Sequence, residues 1–487
     1  MLFCQCSALL NEKQYYSISQ FMFWFLFINI VTSSASPIPS DRITNTPTKQ
    51  SPFNWKRSLG SGHASLTSQD DDKDISTEYA VTFDIVQQIG SSNYTGSDGH
   101  FWMPQPLFRA SSHLDSELLV TVAIHGDGIS CPPPDRPFQK CNLGYHRNNI
   151  NSTNKWEMNV NGSTLPGNSL IRLNDTMTRG FGGLWLNAST NTSGLAFYQD
   201  FKQDGSSVTK GAAPITGLPP MMEIAYLQST ASTVLTNGKE QGLVITQFYG
   251  YLADAPGLGG CIKVHSWDVP YCSSVITIAS KDQGLHWEYR SSIQWDGKHA
   301  KMPNDVGGPA EPTLSILPDG KTILSIFRLA SNKNLWMTTS TDGGVTFSQA
   351  QETNAWSVFP QLRLLGNDAL VMTAGRPGIG VWVMNGSTVD NAKGWMFYNL
   401  AAAHNTLISD VALQFNVPEV NIENVSSKTS VPVMTKAYTG LEVQGCDGEG
   451  RCTLTVTYDR LCNSNDGPPG PYGKKDYAFS MEIYVER

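Results

Sequence analysis

Two stretches of this chain repeat without a gap at an offset of 48 residues, and nothing else in the sequence constrains the fold as tightly. Glu311-Pro-Thr-Leu-Ser-Ile-Leu-Pro-Asp-Gly-Lys-Thr-Ile-Leu-Ser-Ile-Phe-Arg328 lies over Phe359-Pro-Gln-Leu-Arg-Leu-Leu-Gly-Asn-Asp-Ala-Leu-Val-Met-Thr-Ala-Gly-Arg376. Pro312 then aligns with Pro360, Leu317 with Leu365 and Arg328 with Arg376. The same register carries Ser340-Thr-Asp342-Gly-Gly344-Val-Thr-Phe347 over Thr388-Val-Asp390-Asn-Ala392-Lys-Gly-Trp395. Each unit reads strand, turn, strand, hairpin tip. Forty-odd residues per four-stranded unit is the size of a propeller blade.

The tip is itself a motif, Ser-x-Asp-x-Gly-x-x-aromatic. A further intact copy is Ser280-Lys-Asp282-Gln-Gly284-Leu-His-Trp287, and a weaker one runs from Ser189 to Phe197. Its chemistry is local: the carboxylate accepts backbone N–H groups, glycine supplies positive φ, and the aromatic ring packs beneath. These aspartates read as structural staples and not as catalysts or metal ligands. Around them, β-runs bounded by turn residues continue to the C-terminus, such as Tyr79-Ala-Val-Thr-Phe-Asp-Ile-Val86, Leu243-Val-Ile-Thr-Gln-Phe-Tyr249 and Phe479-Ser-Met-Glu-Ile-Tyr-Val485. Amphipathic helical stretches are nearly absent, so the chain reads as all-β.

Residues 21 to 31 form an apolar run too short to span a bilayer, followed by Thr32-Ser33-Ser34-Ala35-Ser36-Pro37. This predicts a secretory signal over 1–36, with a retained signal anchor, and hence a cell-surface location, as the alternative. No later segment is apolar enough to span, so no stable membrane span is expected once the leader is removed. From 37 to 76 the chain is Ser/Thr/Pro/Asp-rich and reads as a flexible segment ahead of a folded unit over 77–487. Eight Asn-x-Ser/Thr sequons follow the leader, at Asn93, Asn151, Asn161, Asn174, Asn187, Asn191, Asn385 and Asn424, as a secreted glycoprotein would carry. Seven cysteines outside the leader fall into close pairs, which predicts bridges Cys131–Cys141, Cys261–Cys272 and Cys446–Cys452 and leaves Cys462 over. The net charge of −8 with no basic run argues against a nucleic-acid partner.

Asp-box tips on a propeller resemble the sialidase (neuraminidase) superfamily, and the likeness covers roughly residues 80 to 487. The resemblance implies a six-bladed β-propeller of the sialidase type, a secreted exo-glycosidase that releases terminal sialic acid or a related acidic sugar from glycoconjugates. It implies a tyrosine nucleophile activated by a glutamate, an aspartate acid/base and three arginines for the substrate carboxylate, with no cofactor and no metal. Gly308-Pro-Ala-Glu311-Pro312 is similar to the family's Asn-Glu-Pro segment and places Glu311 as the base. Arg328 matches the second arginine, and Arg376 in Gly375-Arg-Pro-Gly378 resembles the third. Lys436-Ala-Tyr438-Thr-Gly-Leu441 is similar to the nucleophile segment, which makes Tyr438 the nucleophile with Tyr398 and Tyr458 behind it.

The first motif departs from the pattern. Where the family begins with Phe/Tyr-Arg-Ile-Pro, this chain has Phe101-Trp102-Met103-Pro104, so Trp102 stands at the first arginine's place. Arg109, seven residues on, is the candidate to restore that contact, and Asp127 in the loop after Ile124 is the candidate acid/base. The departure keeps a second reading open: a propeller that lost the chemistry and serves as a glycan- or protein-binding ectodomain.

Overall fold

The strand order follows directly from where the turn residues fall. The computed structural model describes residues 79–93, 103–109, 118–123, 142–147, 156–159, 169–174, 176–187, 189–202, 207–224, 232–256, 271–294, 308–329, 334–375, 379–415, 439–460 and 475–487. The expected signal, the segment over 37–76, and Trp102, Asp127, Arg376 and Tyr438 lie outside them. Strand β1 is Ala80–Asn93. A four-stranded sheet follows, with β2 (Met103–Arg109), β3 (Leu118–Ala123), β4 (Asn142–Arg147) and β5 (Trp156–Asn159) in sequence order. A larger sheet begins with β6 (Ser169–Asn174), β7 (Met177–Leu186), β8 (Gly194–Lys202) and β9 (Ser207–Thr216). It continues with β10 (Met221–Ile224), β11 (Ser232–Val234), β12 (Val244–Pro256), β13 (Tyr271–Ser280) and β14 (Trp287–Ile293). Its two halves join in one ladder where Trp287 and Glu288 run parallel to Ile215 and Thr216.

Two further four-stranded sheets are β15 (Ala310–Ile316) to β18 (Gln351–Trp356), through β16 (Ile323–Arg328) and β17 (Asn334–Ser340), and β19 (Val358–Leu364) to β22 (Met396–Asn399), through β20 (Ala369–Gly375) and β21 (Gly380–Asn385). Helix α1 (Leu400–Leu407) follows, its first turn capped by the Asn399 side chain, which accepts the Ala402 N–H. The last sheet holds β23 (Thr439–Cys446), β24 (Cys452–Arg460) and β25 (Lys475–Glu486), and β1 completes it by pairing with β25. Among the described residues the fold is all-β apart from α1 and short 3-10 turns, and no helix there is long and apolar enough to cross a membrane.

Middle strands are buried on both faces because sheets stack on sheets. Leu370, Met372 and Ala374 pack with Leu324 and Ile326 of the preceding sheet, while Ala369 and Val371 pack with Leu454, Val456 and Met481 of the last one. Neighbouring sheets adjoin in turn, β12 beside β15, β15 beside β19, β19 beside β23 and β23 beside β2.

Register overturns the gapless repeat. Thr313 pairs with Ile326, and Gln361 pairs with Thr373, so the first strands are 48 positions apart but the second strands only 47. The β19–β20 hairpin is one residue shorter. Arg328, opposite Ala310, therefore has Gly375, opposite Val358, as its counterpart, and Arg376 comes one residue later. Facing agrees, since Leu324 and Val371 both face the following sheet whereas Met372 faces the preceding one. The third strands are 44 positions apart, Met337 matching Val381, so Met384 replaces Ser340 and Asp390 is not the counterpart of Asp342.

The two intact tips form the same staple. Asp342 Oδ1 accepts the Val345 and Thr346 N–H groups at 3.1 and 2.9 Å, Thr346 Oγ1 donates to Oδ2 at 2.6 Å, and Ser340 Oγ accepts the Gly344 N–H at 2.9 Å. Asp282 does the same with Leu285, His286 and Ser280, and Trp287 is buried beneath it. The stretch from Ser189 to Phe197 is not such a copy: there Asn187 Oδ1 accepts the Ser189 N–H and hydroxyl. At the far end of the β23–β24 hairpin, Cys446 and Cys452 form a disulfide. Cys272 is also disulfide-bonded, and Cys131, Cys141, Cys261 and Cys462 lie outside the described residues.

Candidate functional site

The site begins with a proline. Pro cannot donate into a ladder, so prolines within strands favour edges and bulges. Glu311-Pro312 forms such a bulge against β16, Phe359-Pro360 forms one against β20, and Gln105-Pro106 forms one against β3. The bulge that matches Glu311-Pro312 in the first sheet is thus Gln105-Pro106, two residues past the Met103-Pro104 expected from the motif. Backbone strain gathers at the same edge. Glu311 (φ 48°), Ser357 (φ 156°) and Phe359 (φ 51°) are non-glycine residues with positive φ, an arrangement costing about 1–3 kcal/mol each and found where function over-determines the backbone. Gly308 precedes this edge with φ 89°, and a Cβ there would overlap the Ser273 carbonyl.

Glu311 is 3% exposed, and a carboxylate so buried must be paired. Arg328 meets it with a two-pronged contact, Nε at 2.5 Å from Oε2 and Nη2 donating to Oε1 at 2.8 Å. The Phe359 N–H, in the neighbouring sheet, donates to Oε2 at 3.0 Å. Arg328 remains 20% exposed along its side chain, so the pair reaches solvent through the arginine. Beside it, Ser357 Oγ donates to the Gly375 carbonyl, and the Leu362 N–H donates to Thr313 Oγ1 at 3.3 Å. Deeper between neighbouring sheets the contacts stay polar. Ser325 Oγ donates to Gln247 Oε1 at 2.7 Å, and the Thr373 and Thr439 hydroxyls lie 3.0 Å apart.

The structure therefore brings Glu311 and Arg328 together, and onto each other. Trp102, Asp127, Arg376 and Tyr438 lie outside the described residues, but the described strand ends next to them belong to this edge. Tyr438 precedes Thr439, the first residue of β23, and Arg376 follows Gly375, the last of β20. Trp102 precedes Met103, which pairs with Ala123, the last residue of β3, four before Asp127. Arg109 is different. Its backbone pairs with Leu118 at the hairpin end of β2, four residues beyond Gln105, or about 13 Å along the strand.

Two reserve tyrosines are structural. The Tyr398 hydroxyl donates to the Tyr79 carbonyl at 2.6 Å. Tyr458 is fully buried, which raises its hydroxyl well above the usual value, and its OH donates to His404 Nδ1 at 2.8 Å. That assigns the His404 proton to Nε2, which donates to the Leu413 carbonyl at 3.1 Å. Burial lowers the His404 pKa to about 4, the Leu413 bond partly opposing it and the Arg460 charge adding to it. Sequence reasoning missed His404 and also Asp459 and Arg460, fully buried charged residues ending β24 as Arg328 ends β16. A strand-terminal arginine was the available signal. Among the described residues no group of three His, Cys, Asp or Glu side chains converges as a metal would require.

No family model matches the chain, and no curated protein matches it. Solved structures do. A protein of unknown function from Dyadobacter fermentans is 15% identical over 82% of this chain and 99% of its own, with a TM-score of 0.47. An α-L-arabinanase from Penicillium chrysogenum is 13% identical over 82% and 98%, with a TM-score of 0.45. A Hadza microbial sialidase is 11% identical over 80% and 68%, with a TM-score of 0.42. Likeness at that level assigns no activity.

Proposed function

We propose that the chain is a six-bladed propeller of the sialidase type that cleaves a terminal sugar, sialic acid or a related acidic one, from secreted or surface glycoconjugates. The six blades are β2–β5, β6–β9, β10–β14, β15–β18, β19–β22 and the final sheet, with β1 closing the ring on β25. One observation carries the reading: a buried carboxylate, Glu311, is aimed by a guanidinium and a neighbouring amide at a strained edge where the first strands begin. On this reading Tyr438 attacks the anomeric carbon while Glu311 polarises its hydroxyl. Asp127 protonates the leaving oxygen, then takes a proton from the water that releases the sugar. Arg376 faces the substrate carboxylate, where the resemblance also puts Arg328, and Trp102 offers a flat wall for the sugar face.

The test is steady-state release of a fluorogenic aglycone from a sialoside by wild type, Tyr438→Phe and Glu311→Gln. The proposal expects turnover by wild type and losses of at least about 100-fold in both variants. Full activity in Tyr438→Phe would contradict it. The second reading, a glycan- or protein-binding ectodomain without turnover, is favoured by the engagement of Arg328 with Glu311 in place of a free cation. Folded wild type that binds immobilised sialosides without hydrolysing them would establish it.

A further inference from the structure

The geometry points to Arg328 as a positioning residue that acts through Glu311, and not as a group that grips substrate. This rests on the glycosidase reading of the same edge. Both oxygens of the Glu311 carboxylate are engaged by Arg328, Oε2 by Nε at 2.5 Å and Oε1 by Nη2 at 2.8 Å. One hydrogen bond from Nη2 and the close Nε ion-pair contact together hold the carboxylate against the guanidinium. The backbone holds both partners, because Arg328 pairs with Ala310, the residue just before Glu311. The third bond, from the Phe359 N–H at 3.0 Å, comes from the next sheet, so the carboxylate is aimed from two directions.

A substrate carboxylate taking the same fork would have to displace Glu311. It would leave a 3% exposed carboxylate without its counter-charge, which the fold penalises heavily. The counterpart position in the next sheet shows the same division of labour. There the bulge residue is Phe359 and the strand-end residue is Gly375, so with no carboxylate to aim, no arginine is present. Between these two sheets, the arginine occurs where the glutamate does.

Two fluorogenic substrates separate aiming from gripping: a sialoside and its methyl ester, which lacks the charge. Arg328→Ala is expected to lower kcat about 100-fold on both, as loss of alignment does, with KM changed less than about twofold. Arg328→Lys, which keeps one prong, is expected to recover part of kcat on both. A KM increase confined to the sialoside, with the ester unaffected, would overturn the inference. Amide hydrogen exchange at Phe359 gives a readout independent of turnover. Its exchange should accelerate at least about tenfold in Glu311→Ala and in Arg328→Ala, and less in Arg328→Lys. Unchanged protection in folded Arg328→Ala would overturn it equally. If wild type hydrolyses neither substrate, the glycosidase reading fails, and the exchange result still decides whether Arg328 aims Glu311.

Discussion

The sheets β15–β18 and β19–β22 share a backbone and not a chemistry. Both open with an x-Pro bulge at positive φ, and both bury their second strand on two faces. Yet Glu311 faces Phe359 across the repeat, Arg328 faces Gly375, and the Ser340–Asp342 staple has Met384 in the serine's place. The bulge is what stacking requires of each sheet, and the side chain on it is free to vary. Because Phe359 supplies no acceptor, its N–H is satisfied by Glu311 instead, and one charged residue ties two sheets.

Four perturbations probe the difference between the two sheets. The largest loss is expected from Phe359→Ala, which empties a site that is 2% exposed and should cost about 3–5 kcal/mol in urea denaturation. Glu311→Ala follows at about 3 kcal/mol, since it strands the Phe359 N–H and deprives Arg328 of its partner. Equal insensitivity at both positions would mean that the bulge is not tied across the sheets. The third concerns α1, the helix that follows the second sheet, where His404 is held neutral. Its folded pKa of about 4 lies below the unfolded value of about 6.5, so its contribution is complete above the unfolded value and is lost as pH falls toward 4. His404→Gln should flatten stability across that window, and an unchanged slope would place the acid sensitivity elsewhere.

The smallest effect separates true from apparent repeats. Asp342→Ala should cost about 1–2 kcal/mol, because it removes acceptors for two N–H groups and two hydroxyls. Asp390→Ala should stay within about 0.5 kcal/mol. Burial raises the Asp342 pKa, but the Thr346 hydroxyl and N–H, the Ser340 hydroxyl and the Val345 N–H outweigh it and hold the carboxyl below its usual value. Its staple is therefore present above about pH 4 and lost on further acidification.

The all-β architecture and the two tips were legible because they rest on local signals: alternation along strands, glycine at positive φ, and an aspartate two residues after a serine. Glu311 was legible from the Glu-Pro pair for the same reason. Register was not. A hairpin one residue shorter leaves the string match of Arg328 to Arg376 intact while moving the structural match to Gly375, because facing reverses with each residue of slip. Nor does a strand-end arginine announce its partner, which here comes from the opposite strand. Arg109 shows the converse, a residue close to the motif in sequence but carried to the other end of its sheet. His404 sits in an eight-residue helix too short to leave a periodic trace.

The central claim is that the edge where β15, β19 and β23 begin is the chemical centre. A fluorinated glycoside that forms its enzyme adduct quickly and releases it slowly tests this directly, with the labelled peptide located by mass spectrometry. The account predicts one equivalent of label on the peptide holding Tyr438, just ahead of Thr439 where β23 starts, and no label on Tyr438→Phe. Label on a residue away from that edge, or rapid turnover with no adduct at all, would contradict it.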